Sequence, residues 1–189
     1  MSNSIQNIDF DINKEMLIEE SKLCDYVPIN RVTLRRVRMG SLYSETKGKK
    51  FSDFLNDVDK DWWLKQNTWQ SSMNADAEML FKMPETTRIL AHFKEKLQTE
   101  NIEANFFTQK QGTSVKMHVD VGTPCAINFI IKGEETPIVF ESEGTFFYKN
   151  ALLNVSKKHM VPEQETTDRM LFKLRILDLT FDEAKERLC

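Results

Sequence analysis

The chain has 189 residues, of which 40% are hydrophobic and 29% charged, and its net charge is −3. This length and composition are typical of one globular domain, here residues 1–189, that can bury a core. The small negative charge argues against binding to duplex nucleic acid or to an anionic membrane surface. The basic run 31–38 is predicted to be a strand with one solvated face rather than a phosphate-binding patch. The longest mainly apolar run, residues 126–131, is far shorter than the ~20 residues needed to cross a bilayer.

Three cysteines, Cys24, Cys125 and Cys189, lie far apart in the sequence and form neither a disulfide framework nor a zinc motif. The N-terminus has no basic segment followed by a long apolar run, so no signal peptide is visible. These features predict a protein of the reducing cytoplasm.

Residues 1–103 are predicted to be mainly helical. A loop that contains Trp62, Trp63 and Trp69, together with the polar segment 42–51, is a candidate lid over a substrate pocket. Tryptophans at such spacing also serve as plugs in a core or an interface, and that alternative stays open. Apolar residues recur at helical spacing in residues 13–24, 50–58 and 84–97.

Residues 104–180 change to short β runs separated by turn residues such as Gly112, Gly133 and Gly144. Eight such runs predict a jelly roll, a cupin-like double-stranded β-helix in which two sheets face each other. The predicted fold is mostly β, with a core whose outer face the N-terminal helices cover, and with a short C-terminal helix. The predicted strands are residues 104–111, 114–119, 124–132, 136–141, 144–150, 151–156, 158–162 and 169–179.

One short segment combines an imidazole and a carboxylate at the end of a predicted strand. Because alternate side chains of a strand share a face, His118 and Asp120 point together, while Met117 and Val119 point the other way. His159, on a later predicted strand, supplies a second imidazole. Two imidazoles and one carboxylate form the facial triad of non-haem Fe(II) oxygenases, which leaves positions open for a cosubstrate and O2. A surface histidine beside a turn aspartate is the alternative, because a single His-x-Asp is a common pattern.

Two longer segments resemble the 2-oxoglutarate/Fe(II)-dependent oxygenases. They are "QKQGTSVKMHVD" (residues 109–120), which has Gly112 upstream of the histidine, and "KHMVPEQETTDRMLFKLRI" (residues 158–176). The elements "CAIN" and "RMLF" are most similar to the branch that contains aspartyl/asparaginyl β-hydroxylases and some free-proline hydroxylases. Prolyl 4-hydroxylases share the glycine spacing. The resemblance covers residues 104–178.

The resemblance implies that His118, Asp120 and His159 are the iron ligands and form the catalytic centre. It implies that Arg169 binds the far carboxylate of 2-oxoglutarate, and that Fe(II), 2-oxoglutarate and O2 are required. The implied reaction hydroxylates an unactivated C–H bond of a small polar metabolite, amino acid or peptide side chain and releases succinate and CO2. The presence of Asp120 favours hydroxylation over halogenation, since related halogenases vacate that position for chloride.

The sequence departs from these families at the near end of the expected cosubstrate pocket. The β-hydroxylase branch has a basic residue where this chain has Asn128, and that branch often lacks the carboxylate that Asp120 provides here. Other members use a tyrosine on the first strand, where this chain has Phe106, Phe107 and Gln109. The amide of Asn128 can donate a hydrogen bond to a bound carboxylate. A core asparagine with protein partners is the alternative.

Strand parity supports the role of Arg169. Arg169, Leu171, Lys173 and Arg175 share the face of the last predicted strand that turns into the jelly roll. The alternate residues Met170, Phe172, Leu174 and Ile176 share the face that suits packing under the helices. A guanidinium buried there needs an anionic partner, and arginine binds a carboxylate through two hydrogen bonds. The alternative is that Arg169 pairs in solvent with Asp168 or a glutamate. Lys173 and Arg175 are further candidates for the anchoring role.

Two other classes of function stay open. A cupin-type metalloenzyme that does not use 2-oxoglutarate needs the metal ligands but not Arg169, and a non-catalytic binding module needs only the barrel. For His92 a structural or solvated role is predicted, and Cys125 is predicted to be a small buried hydrophobic residue. The expected partner is a small-molecule or peptide substrate, with no duplex nucleic acid and no membrane. The sequence carries no information on oligomeric state.

Overall fold

The strands and helices described by the structure form two β-sheets with helices packed on one outer face. The structure is a computed structural model and describes residues 3–24, 26–28, 69–72, 77–133, 135, 137–163 and 167–188. The predicted helix 50–58, the basic run 31–38, the polar segment 42–51, Trp62 and Trp63 lie outside the described residues. In the ranges that are described, no helix combines the length and the apolar character needed to cross a membrane.

The two sheets have the strand order of a jelly roll. Within the described residues the helices are α1 Lys14–Ser21, α2 Ala77–Phe81, α3 Pro84–Leu97 and α4 Phe181–Leu188. The strands are β1 Ile5–Asn7, β2 Tyr26–Pro28, β3 Trp69–Ser72, β4 Ile102–Gln109, β5 Val115–His118, β6 Cys125–Lys132, β7 Ile138–Phe140, β8 Gly144–Phe146, β9 Asn150–Leu153, β10 His159–Val161 and β11 Arg169–Ile176. The larger sheet has the order β1-β9-β6-β11-β4-β3-β2, and the smaller sheet has the order β5-β10-β7-β8.

Strands β4 to β11 are divided equally between the two sheets. Strands β4, β6, β9 and β11 lie in the larger sheet, and β5, β7, β8 and β10 lie in the smaller one. The chain therefore passes back and forth between two antiparallel sheets, as in a double-stranded β-helix. The predicted fold, a mostly β chain with a jelly-roll core, is confirmed.

The outer face of the larger sheet is covered by helices from the N-terminal part of the chain. Phe172 and Leu174 of β11 pack in one apolar core with Phe93 and Leu97 of α3 and with Leu17 of α1. These positions follow the period of two along the strand and the period of 3.6 along the helices. The prediction that helices cover this face is confirmed.

A second apolar cluster lies between the sheets. Ala126 and Ile130 of β6 contact Ile138 and Phe140 of β7 in this cluster. Since Asn128 has the same parity as Ala126 and Ile130 on β6, its side chain also belongs to the inner face. The inner face of the larger sheet therefore combines apolar and polar side chains.

The N-terminal part also contributes strands that the sequence does not predict. Strand β1 pairs with β9 through Ile5 and Leu153, and β3 pairs with β4 through Trp69 and Gln109. These strands are too short to show a clear period, and their partners are distant in the sequence. By contrast, α3 covers the predicted residues 84–97, and α1 is a shorter form of the predicted helix.

Candidate metal centre

The three predicted metal ligands meet on the inner side of the smaller sheet. The antiparallel pairing of β5 with β10 puts His118 directly opposite His159, and their ring centroids are 4.4 Å apart. Asp120 follows β5, and its Oδ1 lies 3.3 Å from Nε2 of His118. Each side chain offers one ligand atom, and these atoms all lie within 4.8 Å of one another.

The turn after β5 fixes the position of Asp120. The backbone N–H of Asp120 donates a 2.9 Å hydrogen bond to the carbonyl of Val155, and the carbonyl of Asp120 accepts one of 3.3 Å from Thr123. Gly122 supplies the positive φ of +77° that this turn requires. The backbone of Asp120 is thus fixed independently of the contacts that its carboxylate makes.

Both imidazoles are oriented by backbone carbonyls. Nδ1 of His118 lies 2.8 Å from the carbonyl oxygen of Lys116, and Nδ1 of His159 lies 2.9 Å from that of Lys157. A carbonyl oxygen only accepts, so each Nδ1 carries a proton, and in the neutral form of each ring Nε2 has the lone pair. Hydrogen bonds of this kind to the other ring nitrogen orient metal-binding histidines and raise their basicity.

The charges of the cluster suit a cation. Burial lowers the pKa of His159, although the contacts to Lys157 and Asp120 oppose this, and the lowered pKa favours the neutral imidazole. Burial raises the pKa of Asp120, but the charge of Lys173, the contact with His118 and the hydrogen bond from Lys173 outweigh it and hold that pKa far below its ordinary range. These two shifts favour an ionised Asp120 and a neutral His159, which are the forms that bind a metal cation.

This donor set fits a divalent first-row transition metal. Imidazole nitrogens suit iron, zinc, copper and nickel, whereas magnesium and calcium prefer oxygen ligands. Two histidines and one carboxylate leave room for further ligands that the protein does not supply. The side chains present therefore fit the iron that the sequence predicts, and their role as its ligands stays a prediction.

Lys173 and Arg175, the further anchor candidates, both have protein partners. Nζ of Lys173 lies 2.6 Å from Oδ2 of Asp120. Arg175 pairs with Glu103 at 2.8 Å and donates to the hydroxyl of Thr123. Neither cation is available for a distant carboxylate.

Arg169 is different, because its guanidinium is buried and only partly paired. Its exposed fraction is 2%. Nη2 donates a 2.9 Å hydrogen bond to the hydroxyl of Tyr148, whereas Nε and Nη1 have no hydrogen-bond partner among the described residues. Among the described residues the alternative pairing of Arg169 with Asp168 or a glutamate is not formed, since Nη2 binds Tyr148 and the other two nitrogens have no partner, while Asp168 binds Lys110 at 2.7 Å. The guanidinium therefore has capacity for an anion.

Tyr148 joins Arg169 to Asn128, and the sequence gives no sign of this role. Nδ2 of Asn128 donates a 3.1 Å hydrogen bond to the Tyr148 hydroxyl, which also accepts the bond from Arg169. Oδ1 of Asn128 has no partner in the described part of the chain. Tyr148 is 3% exposed. It belongs to the predicted strand 144–150, but β8 ends at Phe146, so the parity of the predicted strand does not give its direction. Only its burial with a polar tip indicates that it needs a partner.

His92 and Cys125 lie away from this site. The ring of His92 is tilted against that of Phe10, with a centroid distance of 4.5 Å, and meets Phe93 edge to face. Cys125 is fully buried in the core under the helices, and burial raises the pKa of its thiol to about 12. Cys125 is thus the buried small side chain that the sequence predicts, and His92 is an exposed residue that contacts two rings at the helix surface.

No protein-family model matches the sequence, and the comparison with curated proteins gives no match. Solved structures do show similarity. Ectoine synthase from P. lautus is 16% identical with a TM-score of 0.38, over 63% of this chain and 71% of that one. An RmlC-like cupin family protein with a double-stranded β-helix fold, from Methanocaldococcus jannaschii, is 18% identical with a TM-score of 0.35, over 47% of this chain and 76% of that one.

A third similar structure is a salicylate 1,2-dioxygenase from Pseudaminobacter salicylatoxidans, which is 18% identical with a TM-score of 0.33. The match spans 41% of this chain and only 22% of the dioxygenase. At these identities and scores the similarity carries no information on activity. The fold assignment rests on the strand order described above.

Proposed function

We propose that this protein is an Fe(II)- and 2-oxoglutarate-dependent dioxygenase that hydroxylates an unactivated C–H bond of a small polar metabolite, amino acid or peptide side chain. The reaction consumes one 2-oxoglutarate and one O2 and yields succinate, CO2 and the hydroxylated product. One oxygen atom enters succinate and the other enters the substrate. His118, Asp120 and His159 would hold the iron, which supplies the oxidising chemistry when bound.

The observation that carries this proposal is the partly unpaired guanidinium of Arg169. A buried cation without an anion is very unfavourable, and two of its nitrogens have no acceptor among the described residues. Arg169 and Lys173 share a face of β11, and their Cα atoms are separated by roughly 13 Å along the strand. Since Lys173 reaches Asp120, a small dicarboxylate that lies between the guanidinium and the metal ligands accounts for the unpaired nitrogens.

Tyr148 and Asn128 would complete the anion site around Arg169. The Tyr148 hydroxyl accepts hydrogen bonds from both neighbours, so its own proton can be donated to a carboxylate oxygen. Each edge of a guanidinium that can bind a carboxylate through two nitrogens includes Nη2, which has one N–H besides the one that it donates to Tyr148. That N–H, together with Nε or Nη1, neither of which has a partner among the described residues, suits the two oxygens of one carboxylate. These residues would bind and orient the end of 2-oxoglutarate that does not react.

Apolar side chains would keep water away from the reacting atoms. The ring of Phe140 has its centroid 5.8 Å from that of His159, and Ile130 and Val155 belong to the same inner cluster. A water-excluding wall strengthens the electrostatic contacts of the site and protects it from side reactions.

Anaerobic cosubstrate binding tests the proposal directly. Metal-free protein is mixed with Fe(II) and 2-oxoglutarate, and the weak visible charge-transfer band of the chelated cosubstrate is recorded. We expect the band in the wild type and its loss in Arg169→Ala at the 2-oxoglutarate concentration that saturates the wild type. Arg175→Ala is the matched control on the same strand face, and it should keep the band because Arg175 already pairs with Glu103.

The outcomes separate the competing functions. A band of wild-type strength in Arg169→Ala would show that the guanidinium is not the cosubstrate anchor. Fe(II) binding without any band in the wild type would instead indicate a cupin-type metalloenzyme that does not use 2-oxoglutarate. Failure of the wild type to bind Fe(II) at all would leave a non-catalytic binding module.

Turnover identifies the substrate class and tests the metal ligands. Succinate release under O2 is measured against amino acids, short peptides and small polar metabolites, and stimulation by one class identifies the substrate. Asp120→Ala and His159→Ala should abolish succinate formation, because each removes one of three ligands. Full turnover in either variant would refute the ligand assignment.

A further inference from the structure

Lys173 reaches from the larger sheet to one of the candidate metal ligands. Its side chain is 11% exposed and its Nζ lies 2.6 Å from Oδ2 of Asp120. The ammonium also lies 5.2 Å from the ring centroid of Phe107, within the range of a cation–π contact. Among the described residues, Asp120 is the hydrogen-bond acceptor of this ammonium. The cation is therefore held in one place by the carboxylate and the ring.

The two oxygens of Asp120 have different surroundings. Oδ1 lies 3.3 Å from Nε2 of His118, on the side of the other candidate ligands. Oδ2 is bound by Lys173 at a distance typical of a strong, charge-assisted hydrogen bond. A free carboxylate can bind a metal through one oxygen or through both. Here only Oδ1 is available.

We propose that Lys173 is a positioning residue that holds Oδ2 of Asp120 and so restricts this carboxylate to one-oxygen binding of the metal ion. The proposal rests on the metal site of the proposed function but not on 2-oxoglutarate or on the substrate. When one protein oxygen is withheld, one more coordination position is left for exogenous ligands.

Lys173 also changes the donor strength of Asp120. The carbonyls behind His118 and His159 raise the basicity of these ligands. An ammonium on a carboxylate has the opposite effect, because it withdraws electron density and repels an incoming cation. A neutral side chain at position 173 should therefore bind a divalent metal more tightly, by roughly tenfold in Kd for one like charge removed from a partly buried site.

A purely structural ion pair makes a different prediction. Buried ion pairs often contribute little net stability relative to apolar residues of the same size, and such a pair would have no effect on how the carboxylate meets a metal. Stability alone therefore does not distinguish the two roles, whereas the number of oxygens bound to the metal does.

Cobalt substitution provides the readout. Metal-free full-length protein is titrated with Co(II), and both the Kd and the visible d–d bands are recorded for the wild type, Lys173→Met, Lys173→Gln and Lys173→Arg. The d–d bands of Co(II) respond to the number and the kind of its ligands. We expect altered bands and tighter binding in the two neutral variants, because the second oxygen of Asp120 becomes a ligand there. Arginine keeps the charge and should keep the wild-type bands.

Spectra of the neutral variants that match the wild type, whatever their affinity, would overturn the proposal. Circular dichroism identifies any variant that does not fold. In that case infrared difference spectra of the Co(II)-bound wild type against Asp120→Asn show how many oxygens of Asp120 bind the metal, and no Lys173 variant is needed. The two carboxylate stretches are widely separated for one-oxygen binding and close together for two-oxygen binding, and a small separation would overturn the proposal. If the wild type does not bind Co(II), the metal site and this inference both fall. If it binds Co(II) through both oxygens, only this inference falls.

Discussion

Replacing Gly133 with alanine should disturb the start of the strand that carries Arg169. Gly133 follows β6 with a φ of +89°, in the left-handed region that glycine enters without strain. An added Cβ would lie 3.0 Å from the carbonyl oxygen of Asp168 and 3.1 Å from the Cα of Arg169. Both atoms belong to the backbone, so no flexible side chain can move aside. The start of β11 must shift instead.

The expected loss of stability in Gly133→Ala has two separate causes. A side chain at positive φ costs roughly 1–2 kcal/mol in the free energy of unfolding, and inserting a methyl group into a packed contact costs roughly 1–3 kcal/mol. Gly144 is the matched control, because its φ is +86° but an added Cβ there meets no atom within 4 Å. Gly144→Ala should therefore lose stability only through the positive φ and not through a close contact. The difference between the two variants should be about 1–3 kcal/mol.

Urea unfolding measures that difference in stability. The visible band of Fe(II) with 2-oxoglutarate, recorded anaerobically, measures whether the shift at the start of β11 also weakens cosubstrate binding. We expect Gly133→Ala to need more 2-oxoglutarate than Gly144→Ala to reach the same band, because the guanidinium is displaced. Equal losses of stability in the two variants would refute the reasoning from the close backbone contact. If Gly133→Ala is destabilised but binds the cosubstrate as the wild type does, the close backbone contact does not determine the position of Arg169.

Three further predictions concern single side chains. Glu20 of α1 caps the start of α3 through three hydrogen bonds of 2.7–2.9 Å, so Glu20→Ala should lower the free energy of unfolding by about 2–4 kcal/mol. Glu19→Ala, which removes only an exposed ion pair, should change it by less than about 0.5 kcal/mol in urea unfolding. Cys125, with its pKa of about 12, should resist alkylation at pH 8 until the protein unfolds, whereas the partly exposed Cys24 should be labelled faster. Peptide mass spectrometry measures both rates, and rapid labelling of native Cys125 would contradict its burial. Tyr148→Phe should weaken 2-oxoglutarate binding without loss of Co(II) binding, and an unchanged cosubstrate titration would exclude the hydroxyl from the site.

Periodicity in the sequence was enough to predict the elements with a clear inside and outside. Helix α3 has apolar residues at helical spacing and a proline in its first turn, so its bounds are visible in the sequence. The parity of β11 likewise separates the residues that pack under the helices from Arg169 and Lys173 on the inner face. Short strands β1, β2 and β3 carry no such period. Their pairing is decided by the edges of the sheet to which they bind.

The candidate site shows the same division between local pattern and tertiary pairing. His118 and Asp120 share a face because they are two residues apart in the sequence, and this is a local property. That His159 lies opposite His118 depends on the register between β5 and β10, which no single segment determines. The contacts of Lys173 with Asp120 and of Tyr148 with Arg169 join different parts of the fold. Only the packing of one sheet against the other selects these partners, because a buried polar group binds whichever complementary group the fold brings within reach.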